Sequence, residues 1–376
     1  MLGCRPMRAS FMQKSKKVLL LINGPWQASL CIAALKTALV SDRTHRILPL
    51  IVDADTGTFF HSFTTKILAQ EGLTDFFEIE KKVSPSRLAA YKTQIERKFD
   101  VDFSQIDEVF TFGTHRSVSV YFCNAAENAH IYLYEEGLRS YLSQTSARAN
   151  VFQRLYATLV SWVSRDALLY YSVKQLKDRI SGLYLLLQNS GKLHGGQSDY
   201  RTYPIDPEAV KQIMGRVGDI AVHAAGRCKI VLIVGQYYAS LKQLSPEMEY
   251  RTYLNAAQSI VEKGFVPVWR GHIRQEDLLF ERLKAACPEL TSFNDMVSCP
   301  YYPLEFYTKL LVEHCAAVVS ISSSSLLYFD YLFGIPAFTL CTEELIATMK
   351  SPHKESCELV RRVLPPYAEF GSASDE

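Results

Sequence analysis

Lys17–Val52 reads KVLLLINGPWQASLCIAALKTALVSDRTHRILPLIV, and its rhythm decides the fold. Lys17–Asn23 is a short, continuous aliphatic run, the pattern of a strand covered on both faces. Gly24-Pro25 then punctuates the chain. Gln27–Val40 carries apolar residues at helical spacing, and Arg46–Val52 returns to a strand-like run. Strand, helix, strand at this spacing is a parallel crossover unit.

The alternation continues on both sides of the middle of the chain. Phe60–Gln70 and Pro85–Phe99 read as helices, with a short strand at Phe76–Glu80 between them. Glu108–Phe112 and Ile131–Tyr134 read as strands around a helix near Val118–Asn128. A second block begins with the strand Lys229–Val234, then the helix Glu247–Lys263, stopped by Gly264, and the strand Phe265–Trp269. Leu304–Cys315 is expected as one helix, Ala316–Ile321 as a strand, Leu326–Leu332 as a helix and Ile335–Thr339 as a last strand. Between the blocks, Asn150–Leu187 is aromatic (Tyr156, Trp162, Tyr170, Tyr171, Tyr184) and is expected as packed helices, with an acceptor-side lid or membrane-facing surface as the alternative. NSGKLHGGQSD at Asn189–Asp199 is a loop by composition, and the division between domains is expected there or slightly after. The fold class is therefore α/β, with two Rossmann-like parallel-sheet domains over residues 1–200 and 201–376.

Composition narrows the function. The 376 residues suffice for two cores, and 41 basic against 39 acidic residues give a net charge of +2. That is no footprint for nucleic acid. The nine cysteines form no CxxC pair, which points to a reducing compartment and away from zinc or a disulfide framework. The first 16 residues carry no apolar signal core, and no run reaches transmembrane length. A cytoplasmic protein is expected, at most peripheral on the inner face of the inner membrane. Asn23-Gly24-Pro25-Trp26 is not G-x-G-x-x-G, which disfavours a dinucleotide-dependent dehydrogenase.

Three loops that follow strands carry chemistry, since ligands of open α/β sheets bind beyond the carboxyl ends of strands. Tyr134-Glu135-Glu136-Gly137 puts two carboxylates at a strand end before a glycine turn. One of them can accept a proton from a hydroxyl; both can equally be solvated loop acids. Trp269-Arg270-Gly271-His272-Ile273-Arg274 offers two guanidinium groups and an imidazole, a set suited to a phosphate-bearing leaving group. Ser322, Ser323, Ser324 and Ser325 open a helix, where hydroxyls and unpaired N–H groups cap the helix or hold an anion. Gly235 and Gln236, at the end of the Lys229–Val234 strand, join the candidate binding residues. The arrangement puts a base and a leaving-group binder on opposite walls of one interdomain cleft.

These loops resemble the motifs of bacterial sialyltransferases and capsule polysialyltransferases: D/E-D/E-G, then H-P, then a paired Ser/Thr. Glu135-Glu136-Gly137 is similar to the first, His272-Ile273-Arg274 to the second and Ser322–Ser325 to the third. The flanking text LYEEGLRSY, VLIVGQ, FVPVWRGHIRQ and VVSISSSSLLYFDYLFGIP resembles the same family. Ile273 stands where that family has proline, and Ser140–Lys229 matches no named pattern. The resemblance implies a GT-B architecture and an inverting, metal-independent transferase without a cofactor. Its partners would be CMP-N-acetylneuraminic acid and a glycan acceptor, in bacterial capsule or lipooligosaccharide synthesis. Glu136 would be the general base, with Glu135 as the alternative, and His272 would stabilise or protonate the departing phosphate. Ser323 and Ser324 would hold the phosphate or the sugar carboxylate, with Gly137, Gly235, Gln236, Arg270, Gly271, Arg274, Ser322 and Ser325 lining the site. The rival readings are a CMP-Kdo or other nucleotide-sugar transferase and, in another class, a non-catalytic glycan- or nucleotide-binding protein. UDP-GlcNAc 2-epimerase-like proteins resemble the chain in fold, but usually carry a Gly-Gly turn and a glutamate where Ser322–Leu327 stands. Arg139, Arg148, Arg154, Arg165, Lys174 and Lys177 read either as solvated helix faces or as a groove for a polyanionic product. The oligomeric state is not written in the sequence.

Overall fold

The structure is a computed structural model that describes residues 15–38, 45–54, 58–80, 83–113, 117–135, 137, 140–141, 176, 178–190, 193, 200–217, 229–272, 278–298, 302–351 and 353–370. The first sheet takes its strands in the order β3-β2-β1-β4-β5-β6-β7 and is parallel throughout. Its strands are β1 (Lys16–Ile22), β2 (His45–Ala54), β3 (Phe77–Glu80), β4 (Glu108–Thr111), β5 (His130–Tyr134), β6 (Ile180–Leu185) and β7 (Thr202–Pro204). Helices α1 (Pro25–Ala38), α2 (Phe59–Gln70), α3 (Pro85–Phe99) and α4 (Ser117–Ala125) connect the early strands, and α5 (Pro207–Val217) follows β7.

The second sheet runs β10-β9-β8-β11-β12, again parallel. It is built from β8 (Ile230–Val234), β9 (Val266–Arg270), β10 (Thr291–Ser292), β11 (Cys315–Ser320) and β12 (Ala337–Thr339). Its helices are α6 (Pro246–Glu262), α7 (Leu278–Ala286), α8 (Thr308–His314), α9 (Ser324–Phe333), α10 (Glu343–Thr348) and α11 (His353–Val363). Both sheets reverse strand order beside their first strand, so β1/β4 and β8/β11 are switch points where a crevice opens.

Side-chain alternation divides the core. Ile230, Leu232 and Val234 of β8 join an apolar cluster that runs through the first domain. Val231 and Ile233, pointing the other way, join a second cluster with Tyr253 and Trp269. A sheet buried on both faces needs apolar side chains at every position, and IVLIV supplies them.

Two expectations are corrected. Ile180–Leu185 is a strand, not the end of a helical stretch: ISGLYL pairs with β5 on one side and β7 on the other. Gly182 and the aromatic Tyr184 suit a pleated, two-sided site better than a helix. The rest of the expected helical stretch, with Tyr156, Trp162, Tyr170 and Tyr171, lies outside the described residues. Leu304–Cys315 is not one helix. Tyr307, with ψ near 41°, separates a 3₁₀ turn at Leu304–Phe306 from α8, and Cys315 already opens β11. Beyond residue 200, β7 still extends the first sheet, and α5 packs on α1 and α2. Lys66 Nζ and Gln70 Nε2 on α2 donate to the carbonyls of Val217 (3.2 Å) and Arg216 (2.9 Å) at the end of α5.

Gly182 has a clear packing reason. A Cβ there would lie 2.4 Å from Cε2 of Tyr203 and 3.2 Å from the carbonyl oxygen of Arg201. Tyr203 is itself stacked on Tyr184 at 4.9 Å and cannot swing aside freely. Gly182→Ala is expected to destabilise the protein by about 1–3 kcal/mol, read as a fall in denaturation midpoint. An unchanged midpoint would show that β7 yields.

Candidate active site

The loop after β5 begins with a buried acid. Glu135 is 0% exposed. Its N–H donates to the carbonyl of Tyr184 (3.0 Å), which prolongs the β5–β6 ladder by one residue. Oε2 accepts from the Leu186 N–H at 2.6 Å and from the Tyr141 hydroxyl. Oε1 accepts from the Tyr328 hydroxyl on α9, in the second domain. Tyr141 in turn accepts the Leu187 N–H at 2.8 Å. Burial pushes the Glu135 carboxyl up to about 7, against the downward pull of the hydrogen bonds from Tyr141, Tyr328, Leu186 and Leu187. Glu136, the other acid of the pair, lies outside the described residues.

Gly137 turns the chain at a φ of 122°, a conformation that favours glycine. It faces α9 closely: a Cβ there would meet Ser324 Oγ at 3.5 Å and the Tyr328 hydroxyl at 4.0 Å. Ser324 and Tyr328 are four residues apart and so share one helix face. That face brings the acidic loop and the serine run together across the two domains.

The serines have divided duties. Ser323 is the N-cap of α9, its hydroxyl accepting from the Ser325 N–H at 3.3 Å. Ser322 is hydrogen-bonded to the Tyr238 hydroxyl, and Ser325 donates to Glu305 Oε1 at 2.7 Å. Glu305 is a second buried acid; burial raises its pKa, opposed by the Ser325 bond and, more weakly, by Arg270. Ser324 is the serine turned to Gly137.

The middle motif is braced from below. The carbonyl of Arg270 accepts the Gly235 N–H at 2.8 Å, and the Gln236 N–H donates to the Tyr253 hydroxyl at 2.9 Å. The amides of Gly235 and Gln236, expected to line the site, are thus spent inside the protein. Glu249 on α6 holds the same loop, accepting from the Tyr238 and Ala239 N–H groups at 3.0 and 3.1 Å. Arg270 spans Asn294 Oδ1 (2.7 Å) and the Tyr302 carbonyl (3.3 Å) and lies 5.4 Å over the Phe293 ring. Gly271 and His272 are half-buried, the imidazole 4.2 Å from the Tyr237 ring. Ile273 and Arg274 lie outside the described residues, as do the basic positions Arg139, Arg148, Arg154, Arg165, Lys174 and Lys177.

The structure adds Tyr141, Tyr328, Tyr238, Glu249 and Glu305 to the residues read from the motifs. The i, i+4 spacing of Ser324 and Tyr328 is a signal for one of them. The others meet their partners through long-range packing, which no local spacing reports.

Two Rossmann-like domains, with the acidic, histidine and serine loops at their strand ends, make up the GT-B fold. The chain belongs to the alpha-2,8-polysialyltransferase family, whose model matches residues 18–342. It is accordingly a sialyltransferase. No curated protein matches the chain. Among solved structures it is similar to MnaA of S. aureus with UDP, at 12% identity and a TM-score of 0.53, covering 96% of this chain and 88% of that one. It is also similar to the UDP-GlcNAc 2-epimerase of Methanocaldococcus jannaschii, at 11% identity and a TM-score of 0.50, covering 92% and 91%. The sialyltransferase of Photobacterium damsela aligns at 12% identity and a TM-score of 0.43, over 93% and 79%. These likenesses concern the fold. Among the described residues, no helix is long and apolar enough to cross a membrane.

A carboxyl raised by burial makes stability depend on pH. The folded protein holds a proton on Glu135 that the unfolded chain releases between the ordinary glutamate value and about 7. Glu135 therefore favours the folded state less as pH rises through that window, by roughly 3 kcal/mol in all. The wild type is expected to lose stability relative to Glu135→Gln between pH 5 and pH 8 in paired denaturation curves. A gap that stays constant with pH would place the titration outside the folded state's reach.

Proposed function

We propose that the enzyme transfers sialic acid from CMP-N-acetylneuraminic acid to a glycan hydroxyl with inversion, and that a chain of such residues is its product. The observation that carries this reading is the close approach of Gly137 to Ser324, which sets the acidic loop of one domain against the serine-capped helix of the other. Family membership supplies the sialyl group. The CMP donor follows from the motif resemblance.

In this scheme Glu136 removes the acceptor proton as the oxygen attacks the anomeric carbon. The bond from that carbon to the CMP phosphate breaks, and the electron pair leaves with the phosphate. His272 stabilises the departing phosphate or gives it a proton, and Tyr237 holds the imidazole ring in place. The N-terminus of α9 supplies Ser323 and Ser324 for the phosphate or the sugar carboxylate. Arg270 acts from beneath, tying the His272 loop to Asn294 and Tyr302. The transition state is oxocarbenium-like, so positioning and leaving-group stabilisation carry most of the rate. The scheme needs no metal.

The test is CMP release from CMP-N-acetylneuraminic acid with lactosyl and sialylated acceptors. Acceptor-dependent release is expected, reduced at least about a hundredfold in Glu136→Gln with donor affinity little changed. Full activity in that variant would remove Glu136 from the role of base. Release from CMP-Kdo alone would reassign the donor, and product length separates one transfer from many. EDTA is expected to leave the rate unchanged. A loss restored by magnesium or manganese would overturn the metal-free scheme.

A further inference from the structure

Glu135 and Glu136 are adjacent carboxylates in one motif, but the surroundings of Glu135 rule it out of direct contact with an acceptor sugar. It is wholly buried, and both oxygens accept hydrogen bonds from protein donors. We propose that Glu135 is the positioning residue of this active site, an interdomain lock that seats the serine-capped end of α9 against the turn at Gly137. The proposal deepens the sialyl-transfer reading and rests on it for its kinetic part.

Four hydrogen bonds hold Glu135. The Glu135 N–H on the Tyr184 carbonyl fixes the residue to the sheet, so its carboxyl has little freedom. From the first domain, Tyr141 and the Leu186 N–H hold Oε2. From the second, Tyr328 holds Oε1, and its ring lies 4.7 Å from that of Trp26 at the start of α1. On the same face of α9, Ser324 stands one helical turn from Tyr328 and meets Gly137. A rotation of α9 that broke the Tyr328 bond would also carry Ser324 away from the turn. The titratable groups facing Glu135 are Tyr141 and Tyr328, with Glu305 beyond Tyr328.

The lock separates two roles that the motif alone leaves merged. Glu136 would exchange a proton with substrate, whereas Glu135 would set the distance between the base and the leaving-group site. A hydrogen bond to a buried carboxylate is among the stronger and more directional contacts available for this. Nearby apolar packing alone would hold the helix without fixing its rotation.

The test uses the full chain with Glu135→Gln, Tyr328→Phe and the double variant; Tyr328→Phe removes a single hydroxyl and is the variant safest to fold. Hydrogen exchange needs no substrate. Tyr328→Phe, a change in the second domain, is expected to speed exchange at Leu186 and Leu187 in the first about tenfold, and Glu135→Gln to do so at Leu327 and Tyr328. Exchange that changes only in the domain carrying the substitution would overturn the lock, whatever the enzyme's donor. With an active wild type, each single variant is expected to lower kcat about tenfold or more, and the double variant no further. The acidic limb of the kcat/KM profile is expected to keep its midpoint in Glu135→Gln. Additive losses, or disappearance of that limb, would show instead that Glu135 acts on the substrate's proton. A wild type inactive on CMP-sugars would refute the proposed function while leaving the exchange result to decide the lock.

Discussion

A carboxyl group with no access to water is the constraint on which the junction of the two domains depends. Burying it costs several kcal/mol unless donors replace the lost water. Glu135 has three such donors, and each fixes a different part of the molecule: the start of the segment after β6 through Leu186, the turn at Tyr141, and α9 through Tyr328. None of the three can shift without leaving a buried polar group short of a partner. The raised pKa of Glu135 is the sign that this arrangement is held at some cost in stability. What it provides is a single rotation of α9 about its axis, which the surrounding apolar contacts do not specify.

The sheets make that junction possible. Parallel strands deliver every loop of interest to the carboxyl end of its sheet, and there the loop after β5 touches α9. The apolar cluster of the first domain continues into Val318, Leu326, Tyr328 and Leu332 of the second, so the domains share a core beside the polar contacts. The loop of the middle motif is built differently. The loop after β8, which braces it, is held from α6, where Glu249 and Tyr253 accept the amides of Gln236, Tyr238 and Ala239. With those three amides paired, the loop after β8 offers a ligand chiefly its side chains; in the proposed scheme the anion is left to His272 and the start of α9.

Much of this was legible in the chain because parallel α/β folds write themselves locally. VLLLI (Val18–Ile22) and IVLIV (Ile230–Val234) are apolar at every position because both faces of their strands are covered. The three motif loops were found because they follow such strands. Ile180–Leu185 was not found, since a short apolar run beside helical neighbours carries no period that separates strand from helix. The division of labour within the motifs was also hidden. Nothing in EEG says which glutamate turns inward, because the answer lies with Tyr141 and Tyr328, the latter 193 residues away. Four serines in a row read as one feature. Their separate partners, Tyr238, the Ser325 amide, Gly137 and Glu305, come from four different segments.

A second tie joins the domains, and its chemistry is the opposite of the first. Phe63 of α2 stacks on Tyr302 at 3.9 Å and meets Phe306 edge-on at 4.8 Å. Tyr302 is also the residue whose carbonyl receives Arg270. The middle motif is therefore linked to the first domain through an aromatic stack, and the serine motif through a buried hydrogen bond. Stacked rings lose little energy when they slide, since dispersion is spread over many weak contacts. A carboxylate–hydroxyl bond tolerates little change in angle or distance. Relative motion of the domains is then cheapest as a sliding of Tyr302 over Phe63 about a pivot at Glu135. Such a motion would move the loop of Arg270 and His272 with Tyr302 while leaving Ser324 against Gly137.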